Sequence, residues 1–282
     1  MNDPMQNPMN IPAVYTRQAG SVPLLVSMPH IGTHIPIELR GAYVPRALDV
    51  EDTDWHLDLL YDFLGELGAS VLQPVCSRYV IDLNRPPDDA PMYPGAANTE
   101  LCPTRFFSGE PLYHEGWEPS PSERERRRTA YWQPYHAALA AELARLKAIH
   151  GYALLWDAHS IRSHIPWLFE GKLPDLNLGT ASGAAADARI ADAVLGACTD
   201  QNPAQAAYTT ALNGRFKGGY ITRHYGQPAS HIHAIQLEMC QSTYMAETPP
   251  YAYNEALAAQ IQPLLKKMIF SAIQAAKVCY EK

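Results

Sequence analysis

Long hydrophobic runs are missing from this chain. No stretch approaches the roughly 18 to 20 consecutive apolar residues that a membrane span needs, so no membrane partner is expected. The first residues, MNDPMQNPMN, lack a basic segment followed by an apolar one, and are not read as a secretory signal. Cysteine is scarce: five, scattered, with no Cys-x-x-Cys pair. That excludes a disulfide framework and points to buried free thiols in a reducing cytoplasm. Positive charge is in deficit, with 22 Lys and Arg against 29 Asp and Glu and a net charge of −7. No nucleic-acid partner is expected of such a chain. Its one basic cluster, Arg124 to Arg128, contains Glu125 and follows Glu123, as a solvated helix face does. Also missing are Gly-x-Ser-x-Gly, Gly-x-Gly-x-x-Gly, a phosphate loop and His-Glu-x-x-His. Serine-elbow hydrolases, dinucleotide and nucleotide chemistry, and the common zinc-protease motif lose their signatures with them. No internal repeat is visible.

What is present suits a globular protein handling a small molecule. Of the 282 residues, 47% are hydrophobic and 18% charged, enough apolar material for a sizeable core. Length alone suggests about two domains, but α/β units often exceed 250 residues as one. The expectation is one α/β domain over residues 1–282. A loose N-terminal arm runs to about residue 20, and a Pro- and Gly-rich insertion spans about 84–121. A segment that long without regular structure suggests a lid or binding loop, here one expected to close over substrate. Short apolar runs predict strands at Pro23–Met28, Ser70–Leu72, Tyr79–Leu83, Tyr152–Trp156, Gly218–Ile221 and His233–Leu237. Helical spacing predicts helices over Asp52–Leu67, Pro121–Ile149, Ser182–Ala197 and Asn254–Lys282, the last interrupted by Pro263. The alternation predicts a mostly parallel or mixed sheet with helices on both faces. In such folds ligands bind beyond the carboxyl ends of the strands.

Four apolar strands end in polar signatures: His30, Asn84-Arg85, His159 and Glu238. One such residue is ordinarily a cap or a core polar group, but four would be gathered on one edge. Imidazoles and carboxylates are the usual ligands of catalytic zinc, three from protein with water in the fourth position. His30 and His159 are the candidate imidazoles for a divalent metal, zinc foremost. The acidic ligand is sought among Glu51, Asp52 and Asp54, which could equally cap a helix. Asp52 is preferred and Asp54 is the alternative; His34 and His56 are possible substitutes. Asp157, two residues before His159, could fix that ring's tautomer. Glu238 is the candidate general base. Arginine offers a planar fork for carboxylates. Arg85, Arg78, Arg162, Arg215, Lys217 and Arg223 are therefore weighed for substrate binding, with Asn84. The Gly218-Gly219 pair permits close backbone approach. Cys240 is the only competing nucleophile considered, and a buried structural thiol explains it better.

These segments together resemble a known family. Val26-Ser-Met-Pro-His-Ile-Gly-Thr-His-Ile-Pro36, Asp52-Thr-Asp-Trp-His56, Ser77-Arg-Tyr-Val-Ile-Asp-Leu-Asn-Arg85, Asp157-Ala-His-Ser160, Gly218-Gly-Tyr-Ile221 and Ile235-Gln-Leu-Glu238 resemble the N-formylglutamate amidohydrolases, also called N-formylglutamate deformylases. The resemblance covers about Val22 to Thr243 in order. It implies hydrolysis of N-formyl-L-glutamate to L-glutamate and formate with a divalent metal, in a fold similar to the zinc carboxypeptidases. The Asp52–His56 and Trp167–Gly171 segments resemble the branch acting in histidine breakdown. Asp-Leu-Asn-Arg is similar to a piece of aspartoacylase whose Asn-Arg pair holds a carboxylate, a role implied for Asn84 and Arg85. The carboxypeptidase His-x-x-Glu is not reproduced, since Thr33 stands in its last position. Three alternatives stay open: a metal hydrolase of another N-acyl amino acid or peptide, a cysteine hydrolase using Cys240, and a binding protein for acidic metabolites.

Overall fold

The computed structural model describes residues 13–92, 98–199 and 208–280. Its strands are β1 (Tyr15–Gln18), β2 (Leu24–Ser27), β3 (Ser70–Pro74), β4 (Ala153–Ile161), β5 (Leu176–Gly179), β6 (Thr210–Leu212) and β7 (Ile232–Cys240). All seven join one sheet in the order β1-β3-β2-β4-β7-β5-β6. The four central strands β3, β2, β4 and β7 run parallel, while β1 and the β5/β6 pair run against them. This is the mixed α/β sheet that the alternation of elements predicts. Its helices are α1 (Ile37–Arg40), α2 (Leu57–Leu60), α3 (Leu64–Leu67), α4 (Pro121–Arg127), α5 (Gln133–His150), α6 (Ala188–Thr199), α7 (Tyr220–Tyr225) and α8 (Glu255–Tyr280).

The two faces of the sheet bury different layers. Leu24, Val26, Trp156, Ala158, Ile235 and Leu237 pack on one face with residues of α2, α3, α6 and α8. Leu25, Leu155, Ala153 and Ala234 pack on the other with Tyr135, Leu139, Leu143 and Leu146 of α5. Strand periodicity of two divides the residues this way. Among the described residues no helix is long and apolar enough to cross a membrane. All five cysteines are free, with Cys102, Cys198 and Cys240 buried.

Several local expectations need correction. Tyr15–Gln18 is an edge strand paired antiparallel with β3, not part of a loose arm. The helix expected over Asp52–Leu67 begins only at Leu57 and is split into α2 and α3. Before it, residues 51–56 form turns that end at His56, which has φ 61°. The helix expected from Ser182 starts at Ala188. Gly218–Ile221 is not a strand: Gly218 takes φ 113°, reserved for glycine, and Gly219 caps α7. Tyr79–Leu83 is buried but forms no strand. Its carbonyls are taken by side chains instead: Tyr43 Oη donates to Tyr79 O, Arg127 to Val80 O and His136 to Leu83 O. A buried segment needs its backbone groups satisfied, not satisfied by a neighbouring strand. Strands β4 and β7 also run beyond their apolar runs, through Ile161 and Cys240.

Candidate active site

The extension of β4 and β7 builds the floor of the site. In register, Asp157 pairs with Gln236 and His159 with Glu238. These four alternate with Trp156, Ala158, Ile235 and Leu237, so they share the face whose apolar part packs on α5. That face therefore changes from apolar to polar as it emerges from under the helix. His30 arrives from the loop after β2, and Asp54 from the turn before α2. The Asp54 amide donates to His30 O at 3.1 Å, which ties these two loops together.

His30, Asp54 and His159 converge, all buried. His159 Nδ1 lies 3.1 Å from His30 Nδ1 and 3.2 Å from Asp54 Oδ2, and His30 Nδ1 lies 3.6 Å from the same oxygen. Three ligands each about 2.0 to 2.2 Å from one tetrahedral zinc would stand about 3.3 Å apart, so the three edges fit such an ion. The other ring nitrogens face carboxylates. His30 Nε2 donates to Asp82 Oδ1 at 2.7 Å, which leaves Nδ1 to face the centre. His159 Nε2 lies 3.2 Å from Asp157 Oδ1, a buried atom with no aligned hydrogen bond. Burial disfavours the charged form of Asp82, yet Arg85, His30 and Arg78 outweigh it and hold the carboxyl well below the usual range. Asp54 is likewise lowered against the cost of burial, by His30 and His159.

The structure brings Asp54, and not the preferred Asp52, to the two histidines. Asp52 turns away and accepts from Tyr79 Oη at 2.8 Å, the Phe107 amide at 2.9 Å and Arg162 at 3.0 Å. These three donors make it an anchor for the insertion. Glu51 pairs with Arg46, and His56 bonds Tyr251 O, so neither joins the centre. His34 is exposed and stands apart from the trio.

A cavity opens over these groups, lined by His30, His159, Glu238, Arg78, Asn84 and Arg85, with Arg215, Gly219 and Gln236 at its wall. Burial pushes the Glu238 carboxyl up to about 8, with Asp54 and Asp157 adding to the rise and His159 and Arg78 opposing it. Asn84 is fixed in orientation: Oδ1 accepts the Ile221 amide at 2.8 Å, and Nδ2 lies 3.0 Å from His159 Nε2. Gly219 passes so close to Asn84 that a Cβ would collide with its amide. Arg78 bridges Asp82 at 2.8 Å and Asp54 at 3.5 Å, and sits over the Phe107 ring. Arg85 is braced by Thr99 through Nε and Nη2.

Two of the expected substrate arginines lie elsewhere. Arg162 is bound to Asp52 and lines a separate narrow cleft. Arg223 donates to Gly218 O and Met92 O and is not part of the cavity wall. Cys240 packs at Leu173 and Pro174, and burial raises its thiol to about 12, the opposite of an activated nucleophile. Asp82, Gln236 and Phe107 also stand at the site, though no sequence pattern assigns them to it. Asp82 had one weak signal: it stands two residues before Asn84, as Asp157 stands two before His159. Of the insertion, Asn98, Thr99 and Phe107 line the cavity; residues 93–97 lie outside the described residues.

The family model described as N-formylglutamate amidohydrolase matches residues 22–245. The chain is 55% identical over 250 residues to the N-formylglutamate deformylase of Pseudomonas putida, covering 89% of this chain and 92% of that one. It is 52% identical over 258 residues to that of Pseudomonas aeruginosa, covering 92% and 95%. Among solved structures, the N-formylglutamate amidohydrolase of Ralstonia eutropha JMP134 superposes with a TM-score of 0.76 at 25% identity, covering 94% of this chain and 98% of that one. A gene product of Agrobacterium tumefaciens shares the fold, with a TM-score of 0.70 at 18% identity over 94% of this chain and 96% of that one. The chain is a hydrolase of amide bonds and belongs to the N-formylglutamate amidohydrolase family.

Proposed function

We propose that this protein hydrolyses N-formyl-L-glutamate to L-glutamate and formate with a divalent metal, zinc foremost, held by His30, Asp54 and His159. The observation that carries the reading is the register of β4 on β7, which seats Glu238 beside His159 under a cavity walled by arginine. The metal would polarise the formyl carbonyl and lower the pKa of the attacking water. Glu238 takes a proton from that water and passes it to the nitrogen of the departing glutamate. A buried carboxyl whose proton affinity is raised towards neutrality suits both acceptance and return. Asp82 orients the His30 imidazole through its Nε2 bond, and the Asp157 carboxylate lies beside Nε2 of His159. Asn84 and Arg85 hold one substrate carboxylate, and Arg78 and Arg215 stand on the same cavity wall for the other. Gly219 leaves room for the Asn84 amide. We place the reaction in the cytoplasm, which the scattered free cysteines suit, and, on the resemblance of the Asp52–His56 and Trp167–Gly171 segments, at the end of a histidine degradation route.

The test is formate release from N-formyl-L-glutamate by the purified protein as prepared, after chelation, and after zinc is restored. Activity abolished by chelator and recovered with zinc is the expected result. Formate release that survives complete metal removal would overturn the metal-dependent reading, and no release in any state would overturn the substrate.

A further inference from the structure

One helical stretch grips the back of the segment that carries the substrate-binding pair. Arg127 Nη1 donates to Val80 O at 3.1 Å, His136 Nε2 to Leu83 O at 2.9 Å, and Trp132 Nε1 to Arg85 O at 3.0 Å. These carbonyls flank Asp82, Asn84 and Arg85, whose side chains serve the site from the other side of the same segment. All three donors are buried.

The spacing 127, 132, 136 does not belong to one stripe of a regular α-helix. At about 100° per residue, Arg127 would point some 140° away from Trp132. Between α4 and α5, however, residues Arg128–Trp132 form a π turn. A π turn takes up one extra residue, so the three positions act as i, i+4 and i+8, within a stripe about 80° wide. Trp132 and His136 then stack at 3.7 Å between centroids, and His136 Nδ1 is met by Tyr225 Oη at 3.0 Å. The segment they hold has no ladder partner of its own, so this grip replaces one.

We propose that Trp132 and His136, aligned with Arg127 by the π turn, are positioning residues that set Asn84 and Arg85 for the substrate carboxylate. This rests on the reading of Asn84 and Arg85 as the carboxylate-holding pair. Trp132 contributes most directly, because its bond is to the Arg85 carbonyl itself while Thr99 braces the guanidinium.

Trp132→Phe keeps a ring on His136 and removes only the N–H. We expect KM for N-formyl-L-glutamate to rise roughly tenfold, the factor that about 1.4 kcal/mol of lost binding represents, with kcat within about twofold and metal content unchanged. In an Arg85→Ala background the same substitution is expected to cost nothing further. A crystal structure of Trp132→Phe is expected to show Arg85 displaced from Thr99, with His30 and His159 in place. An undiminished cost in the Arg85→Ala background, or an unmoved Arg85, would overturn the proposal. The crystal structure needs no turnover, so it decides the positioning role even if the wild-type protein releases no formate, a result that would defeat only the activity reading.

Discussion

Glu238, Asp52 and Asp54 show how burial assigns different tasks to like side chains. Glu238 stands beside His159, and burial raises its affinity for a proton against the pull of His159 and Arg78. Replacing it by Gln preserves shape and removes the base. Turnover of Glu238→Gln is expected to fall at least about a hundredfold, the usual contribution of general acid–base catalysis, with bound metal retained. Near wild-type turnover with metal bound would remove Glu238 from the mechanism. The two aspartates separate by a metal assay. Asp54→Asn is expected to lose stoichiometric metal on dialysis. Asp52→Asn is expected to keep metal and to lose stability, since its oxygens anchor Tyr79, the Phe107 amide and Arg162. Metal retained by Asp54→Asn and lost by Asp52→Asn would reverse the assignment.

At the scale of elements, α7 and α5 act on the site through close packing. Gly219 caps α7 against the Asn84 side chain. Gly219→Ala pushes a methyl group into that amide, and kcat/KM is expected to drop about tenfold or more while far-ultraviolet circular dichroism is unchanged; unchanged kinetics would show that Asn84 need not stay where it is. On α5, burial depresses His136 to about 3, with the Leu83 carbonyl opposing the shift. In the unfolded chain the same imidazole protonates near 6.5. Its contribution to stability is therefore complete above pH 6.5 and lost as pH falls towards 3, at up to about 1.4 kcal/mol per pH unit. Urea unfolding of His136→Gln between pH 6 and 4 is expected to show a pH slope shallower than wild type by about that amount, whatever its starting stability. Parallel slopes would mean that His136 already carries its proton in the folded state.

For the whole molecule, the proposed metal ligands His30, Asp54 and His159 lie where β2, β4 and the loop before α2 meet, so occupancy is expected to stabilise the fold globally. A ligand present at a hundred times its Kd adds about 2.7 kcal/mol. For a chain of this size that is a rise in Tm of roughly 5 °C. Differential scanning fluorimetry of chelated protein with and without zinc measures it, and an unchanged Tm would count against a metal binding the three converged donors.

Apolar runs and helical spacing by themselves determined much of the architecture: β2, β3, β7 and α8 follow the expected segments within three residues, and α4, the π turn and α5 together cover the helix expected over Pro121–Ile149. Side-chain periodicity is local and survives in any context. The gathering of His30, His159 and Glu238 at one cavity was legible too, because a polar residue ending an apolar strand run is visible without a partner. Only the tertiary structure put Asp54 rather than Asp52 beside the two histidines, since the two stand two residues apart in an irregular turn with no period to assign their faces. Only the tertiary structure put Arg162 and Arg223 outside the cavity, since an arginine's reach is set by its partners, here Asp52 and the Gly218 carbonyl. And only it showed that Tyr79–Leu83, strand-like in composition, is held by Arg127 and His136 rather than by a ladder. Backbone hydrogen bonding can be satisfied from far along the chain, and composition carries no record of which donor arrives.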